Sequence, residues 1–168
     1  QSFICNGELS YNGTDTAVKI TSSQNSHYVF NSVKAPNGNG ITFSQVGLPF
    51  SQLVGYCYIE IGLIDCGKNG LQFLAGNHGV LDINVRVKNR IRAGMHGIYV
   101  HAGNAPSSSA PSYVGEILIE GGLIDGLNGY GLYLDATEGY QITGITLQNC
   151  SMEHSANAIM HVGGLIVG

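Results

Sequence analysis

A four-residue pattern recurs at nearly constant intervals along this chain, and a period of that length commits a sequence to a stacked-repeat architecture. Gly70-Leu71-Gln72-Phe73, Gly97-Ile98-Tyr99-Val100, Gly131-Leu132-Tyr133-Leu134 and Ala158-Ile159-Met160-His161 share a small, apolar, variable, mostly apolar order. Gly40-Ile41-Thr42-Phe43 and Ala17-Val18-Lys19-Ile20 extend it upstream. Successive starts lie 23, 30, 27, 34 and 27 residues apart, about one coil of a β-solenoid each.

Asn12, Asn37, Asp65, Asn89, Asp125 and Asn149 form a second phased set, each three to nine residues before the next motif. They read as coil corners, where Asn adopts the left-handed conformation and its side chain satisfies the turn. Before four of them runs a strand with apolar residues at every second place: Ile59, Ile61 and Leu63; Ile83, Val85 and Val87; Ile119 and Leu123; Ile145 and Leu147. That alternation turns one face inward. A single coil cannot bury its apolar face alone, whereas a stack builds a continuous core. A β-sandwich is the rival architecture, but it does not explain the phased columns.

Composition agrees. Of 168 residues 25 are Gly, and only 11% are charged, which suits strands and tight turns more than helices. The formal net charge of −4, with scattered basic residues, argues against a nucleic-acid partner, and none is expected. No apolar run approaches the ~18 residues of a membrane span, so no membrane insertion is expected. The expectation is therefore an all-β protein, a single-stranded parallel β-helix of about six coils, with residues 1–168 as one domain. The start at Gln1 and the stop after an apolar run read as a piece of something longer.

Four cysteines would suggest disulfides in an extracellular setting. The repeat places Cys66 and Cys150 three coils apart, ~14 Å at ~4.8 Å per coil, and Cys5 and Cys57 two coils apart. Both gaps exceed the ~7 Å reach of a disulfide, so buried thiols are expected.

With Ile98, Val100, Leu132 and Leu134 pointing in, Tyr99 falls beside Tyr133 and His101 beside Asp135 on the outer face. Glu60, Asn84 and Glu120 are expected as another outward column, with the two carboxylates ~9.5 Å apart. That separation is the upper edge of the range for inverting glycosidases. Asp135, Glu120, Glu60 and His101 are thus the candidate catalytic residues, and Tyr99, Tyr133 and Asn84 the candidate substrate contacts. Aromatic faces with carboxylates and amides suit an oligosaccharide. Ordinary causes compete with each assignment: aromatics favour strands for packing, and surface Glu or His–Asp neighbours are commonly only solvated. His96, Glu153 and His154 fall in corner loops. A Ser/Pro-rich insertion, residues 102–115, directly follows His101 and is expected to flank the same face.

With these columns in place the chain resembles the pectin-lyase-like right-handed parallel β-helix superfamily, and within it the central body of bacteriophage tailspikes. The opening stretch from Phe3 to Ile20, with Asn12-Gly13 before the apolar Ala17-Val18-Lys19-Ile20 strand, is similar to the first coils of such spikes. The resemblance implies a homotrimeric adhesin, extracellular or carried on the virion. It implies binding to a bacterial surface polysaccharide, frequently with cleavage, by paired carboxylates and without a cofactor. Ile64 and Ile124, expected outward at matching positions, are the candidate subunit contacts. A secreted polysaccharide lyase or epimerase of the same fold, and a non-catalytic adhesive β-helix, remain open alternatives.

Overall fold

The computed structural model describes residues 1–49, 51–103, 112–136, 140–163 and 166–167. In chain order the strands of the first half are β1 (Ser2–Ser10), β2 (Thr16–Ile20), β3 (Gln24–Ala35), β4 (Asn39–Ser44), β5 (Val54–Cys66), β6 (Leu71–Ala75) and β7 (Val80–Ala93). Then follow β8 (Ile98–Ala102), β9 (Tyr113–Glu120), β10 (Leu123–Gly126), β11 (Leu132–Ala136), β12 (Gln141–Gln148), β13 (Ser151–Glu153), β14 (Met160–Gly163) and β15 (Ile166–Val167). Every pairing is parallel. One sheet, here sheet A, runs β1-β3-β5-β7-β9-β12-β15, with β10 pairing β7 and β13; sheet B runs β2-β4-β6-β8-β11-β14. The chain therefore alternates between sheets while climbing one coil at a time, an all-β parallel solenoid of about five turns.

The repeated motif is the inner lining of sheet B. Val18, Ile41, Leu71, Ile98 and Leu132 stack at one level, and Ile20, Phe43, Phe73, Val100 and Leu134 at the next. The Phe43 and Phe73 rings lie 5.3 Å apart and 7° from parallel. Sheet A supplies the opposite wall, with Cys57, Ile83 and Ile117 at one level and Ile59, Val85 and Ile119 at another, all buried. Apolar side chains in such columns remove one another from water across every coil boundary, which a lone coil cannot do.

The small residue that opens each motif is dictated by space. A β-carbon on Gly70 would stand 2.3 Å from Ile91 Cγ2 and 2.5 Å from the Gly97 carbonyl oxygen. Backbone turns set the other corners. Asn25, Tyr56, Asp82, Glu116 and Gly144, with φ between 50° and 58°, occupy one stacked level of sheet A. Five consecutive coils thus bend at the same height through left-handed residues, four of which are not glycine.

Three expectations are corrected. Ile64 and Ile124 are fully buried rather than outward, and Leu63 and Leu123 are the half-buried, outward neighbours. The cause is a second bend at Gly62 and Leu63, two successive half-buried residues between inward Ile61 and Ile64. In the β9–β10 coil the same bend is made by Gly121 and Gly122, with φ of 79° and 73°. An extra residue at such a bend reverses which alternate side chains face in. The Asn/Asp column also dissolves: Asp65 stacks on Lys34 and Arg92, and Asp125 on Arg92 and Glu153. Of the six, only Asn149 is left-handed, at φ 54°.

Asp125 is instead a covered carboxylate. It has no exposed surface, accepts Arg90 Nε at 2.7 Å and Arg90 Nη2, and has His154 Nδ1 at 3.4 Å. The four cysteines stand apart as thiols, with Cys57 and Cys66 buried, and burial pushes the Cys66 thiol up to about 12.

Candidate functional site

The outer face of sheet B gathers a contiguous group of tyrosine and histidine side chains. Strict alternation along β8 and β11 places Tyr99 opposite Tyr133 and His101 opposite Asp135 in adjacent strands. The column continues in both directions as Lys19, Thr42, Gln72, Tyr99, Tyr133 and His161. A second outward column beside it is Ser44, Leu74, His101, Asp135 and Gly163.

Six rings meet here. His96 and His161 both stack on Tyr133, with centroids 4.6 Å and 4.4 Å from that ring. Tyr130 lies 5.4 Å from Tyr133 and 5.3 Å from His161, and Tyr99 lies 5.7 Å from Tyr133. His101 continues the set at 6.1 Å from Tyr99. These separations fall in the favourable range for aromatic pairs. All six residues are half-buried, so edges and faces remain open to solvent.

The rings are anchored by a ladder immediately before the motif glycines. Asn39 Oδ1 accepts the Asn69 N–H at 3.2 Å, Asn69 Oδ1 accepts the His96 N–H at 3.3 Å, and His96 Nδ1 accepts the Tyr130 N–H at 3.2 Å. An imidazole nitrogen accepts only when it carries no proton, so His96 is neutral with its hydrogen on Nε2. Burial, and then the nearby His161, hold its pKa below the ordinary histidine value. Burial also raises the Tyr99 phenol, with smaller contributions from Asp135 and Tyr133. Tyr99 therefore stays a hydroxyl donor.

Asp135 Oδ2 approaches His101 Nδ1 at 3.4 Å, but the approach is not aligned as a hydrogen bond. Upstream, Thr42 donates to Gln72 Oε1 at 2.7 Å and meets the Thr16 hydroxyl at 3.1 Å. These groups line a recess of about 340 Å³ that opens beside Leu74. The face is thus a strip of stacked rings followed by hydroxyls and an amide.

The remaining candidates stand elsewhere. Glu60 and Glu120 do share an outward column of sheet A, but the residue between them is Arg86. Asn84 is corrected to the column of Tyr58 and Leu118, two residues along the strand. Glu60 is engaged by Lys88, with N–O 2.5 Å, and by His27 at 3.8 Å. Lys88 is the main reason its carboxyl is held below the usual range. Asp135 and Glu120 therefore lie on different sheets and face away from one site. Residues 104–111 of the Ser/Pro-rich insertion lie outside the described residues.

Sequence reasoning missed His96, Tyr130, His161, Gln72 and Thr42. A signal existed: Gln72, Thr42 and His161 occupy, or directly follow, the variable place of the motif, and His96 and Tyr130 directly precede its glycine. Among the described residues, no group of three or more His, Cys, Asp or Glu is arranged to hold a metal ion. Comparison with protein families, with known proteins and with solved structures gives no match for this chain.

Proposed function

We propose that this chain is the solenoid body of a tailspike-type protein that binds a bacterial surface polysaccharide on the outer face of sheet B. The observation that carries the reading is the joined set of Tyr99, Tyr130 and Tyr133 with His96, His101 and His161, flanked by Asp135. Saccharide rings pack their C–H faces on aromatic rings while hydroxyls bond to carboxylate, imidazole and amide groups. A stack repeating at each coil offers such contacts at the spacing of the strands, ~4.8 Å.

Cleavage of the polymer is the second reading, favoured by the His101–Asp135 neighbours. An imidazole whose Nδ1 faces a carboxylate has its Nε2 available to take a proton. Hydrolysis by two carboxyls flanking the scissile bond is poorly served by Glu60 and Glu120, with Arg86 between them and Lys88 on Glu60. Proton abstraction, as in a lyase, is the cleavage chemistry in best agreement with sheet B.

The test is a panel of capsular polysaccharides and O-antigens, read by retention of the protein and by release of reducing ends or unsaturated products. Retention of wild type and its loss in Tyr99→Ala/Tyr133→Ala, with the fold intact by circular dichroism, is the expected result. Equal retention of both proteins, or no retention of wild type on any polymer, removes the reading. Sedimentation is expected to give a trimer; a monomer that cleaves polymer assigns the chain to a secreted lyase instead. Binding without product makes it an adhesive solenoid.

A further inference from the structure

The sequence contains six Asn-Gly steps: Asn6-Gly7, Asn12-Gly13, Asn37-Gly38, Asn39-Gly40, Asn69-Gly70 and Asn128-Gly129. Such steps are the most reactive toward self-deamidation, because glycine leaves its backbone nitrogen unhindered. That nitrogen attacks the Asn Cγ, the new N–Cγ bond closes a succinimide, and the Cγ–Nδ2 bond breaks to release ammonia, which carries away the backbone proton. Water then opens the ring at either carbonyl and leaves aspartate or isoaspartate. The reaction needs a free glycine N–H and a side chain free to fold back onto it.

Four of the six steps are held at both ends. The Gly38 N–H donates to Ala35 O at 3.0 Å, Gly40 to Asn69 O at 2.9 Å, Gly70 to His96 O at 2.9 Å and Gly129 to Gly126 O at 3.1 Å. The matching side chains are also tied. Asn37 Nδ2 donates to Asn12 O at 3.1 Å, and Asn128 Nδ2 donates to Gly94 O at 2.8 Å. Asn39 and Asn69 accept backbone N–H groups in the ladder beneath His96. Asn6-Gly7 lies inside β1, at a shift in its pairing with β3. Asn12-Gly13 differs from the four tied steps. It lies between β1 and β2, the Asn12 side chain is exposed, and neither that side chain nor the Gly13 N–H makes a hydrogen bond among the described residues.

We propose that Asn12 is a self-modification site of the folded protein, converting to aspartate and isoaspartate by water alone, while the four laddered steps are protected by the solenoid. The Asn12 carbonyl receives Asn37 Nδ2. Isoaspartate therefore lengthens the backbone at a residue whose carbonyl ties the first corner to the second. It also sets a new carboxylate near Asp15.

The whole chain is incubated at mildly alkaline pH and 37 °C, with and without urea, in ¹⁸O-labelled water, and mapped by peptide mass spectrometry over time. In urea the six steps are expected to react at comparable rates. In the folded protein Asn12 is expected to keep its urea rate within a small factor, while Asn37, Asn39, Asn69 and Asn128 slow by at least about tenfold, since each must wait for local opening. Asn12→Gln is expected to abolish the modification of its peptide. Conversion of any laddered Asn at the Asn12 rate in the folded protein overturns the proposal, as does an Asn12 slowed as much as they are.

Discussion

His96 Nδ1 accepts the Tyr130 backbone N–H at 3.2 Å, and one coil earlier Asn69 Oδ1 accepts the His96 N–H at 3.3 Å. An imidazole thus takes the rung that an amide fills elsewhere, and only the neutral ring can do so. The folded state binds the extra proton less tightly than the unfolded chain. Stability is therefore complete above the ordinary value of 6.5 and erodes as pH falls from there toward the folded value. Thermal unfolding followed across mildly acidic pH is expected to show this decline. His96→Asn, which restores an amide acceptor that does not titrate, should flatten it; equal acid slopes in the two proteins would show that His96 carries no such linkage.

Glu116 titrates with the opposite sign. Its hydrogen bond to Asp82 is the largest cause, followed by the charge of Asp82, and together they raise its pKa above the ordinary 4.5. The folded chain holds that proton more tightly than the unfolded one. The resulting stability is whole below 4.5 and is lost as pH rises through the folded value. Glu116→Gln keeps a donor toward Asp82 and removes the charge, so its urea midpoint should exceed that of wild type near neutral pH and match it in acid. A midpoint unchanged at every pH would show that the two carboxyls do not interact.

The core predicts losses in two directions. Gly70→Ala places a methyl group against Ile91 and the Gly97 carbonyl and should cost about 1–3 kcal/mol by overpacking. Phe73→Ala removes a fully buried ring stacked on Phe43 and should cost about 3–5 kcal/mol. Urea denaturation checks both, and a smaller loss for Phe73→Ala than for Gly70→Ala would contradict this packing.

If polymer is cut, the two outer faces separate by mutation. Asp135→Asn should lower the rate by at least about a hundredfold, the scale of a lost acid–base partner, while Glu120→Gln on sheet A should leave it near wild type. A collapse in Glu120→Gln alone would move the chemistry to the column of Arg86.

Much of this was legible because alternation is a strict rule within an unbroken strand. Ile98, Val100, Leu132 and Leu134 are buried, so the residues between them had to share the other face, and Tyr99, His101, Tyr133 and Asp135 do. What failed lay beyond a bend. One extra residue at the bend, at Gly62 in one coil and within Gly121-Gly122 in another, reverses the alternation without leaving an apolar signature, so alternation alone reads Ile64 and Ile124 as outward. Asn84 was displaced for a different reason. Residues two apart on one strand face the same way, so alternation alone does not distinguish the Asn84 column from that of Arg86. The Asn39–Asn69–His96 ladder escaped notice because an amide and an imidazole perform one task with no shared residue type.

The stacked columns also determine how such a chain reaches its shape. Each inward residue pairs with one about a coil away, as Ile41 does with Leu71 and Leu71 with Ile98, so each loop closed during folding is short once its predecessor is in place. Growth then proceeds as a zipper, in which a finished coil offers the template edge for the next. A fault at one level halts every level above it, so a packing defect in a middle coil should slow folding more than the same defect in the last.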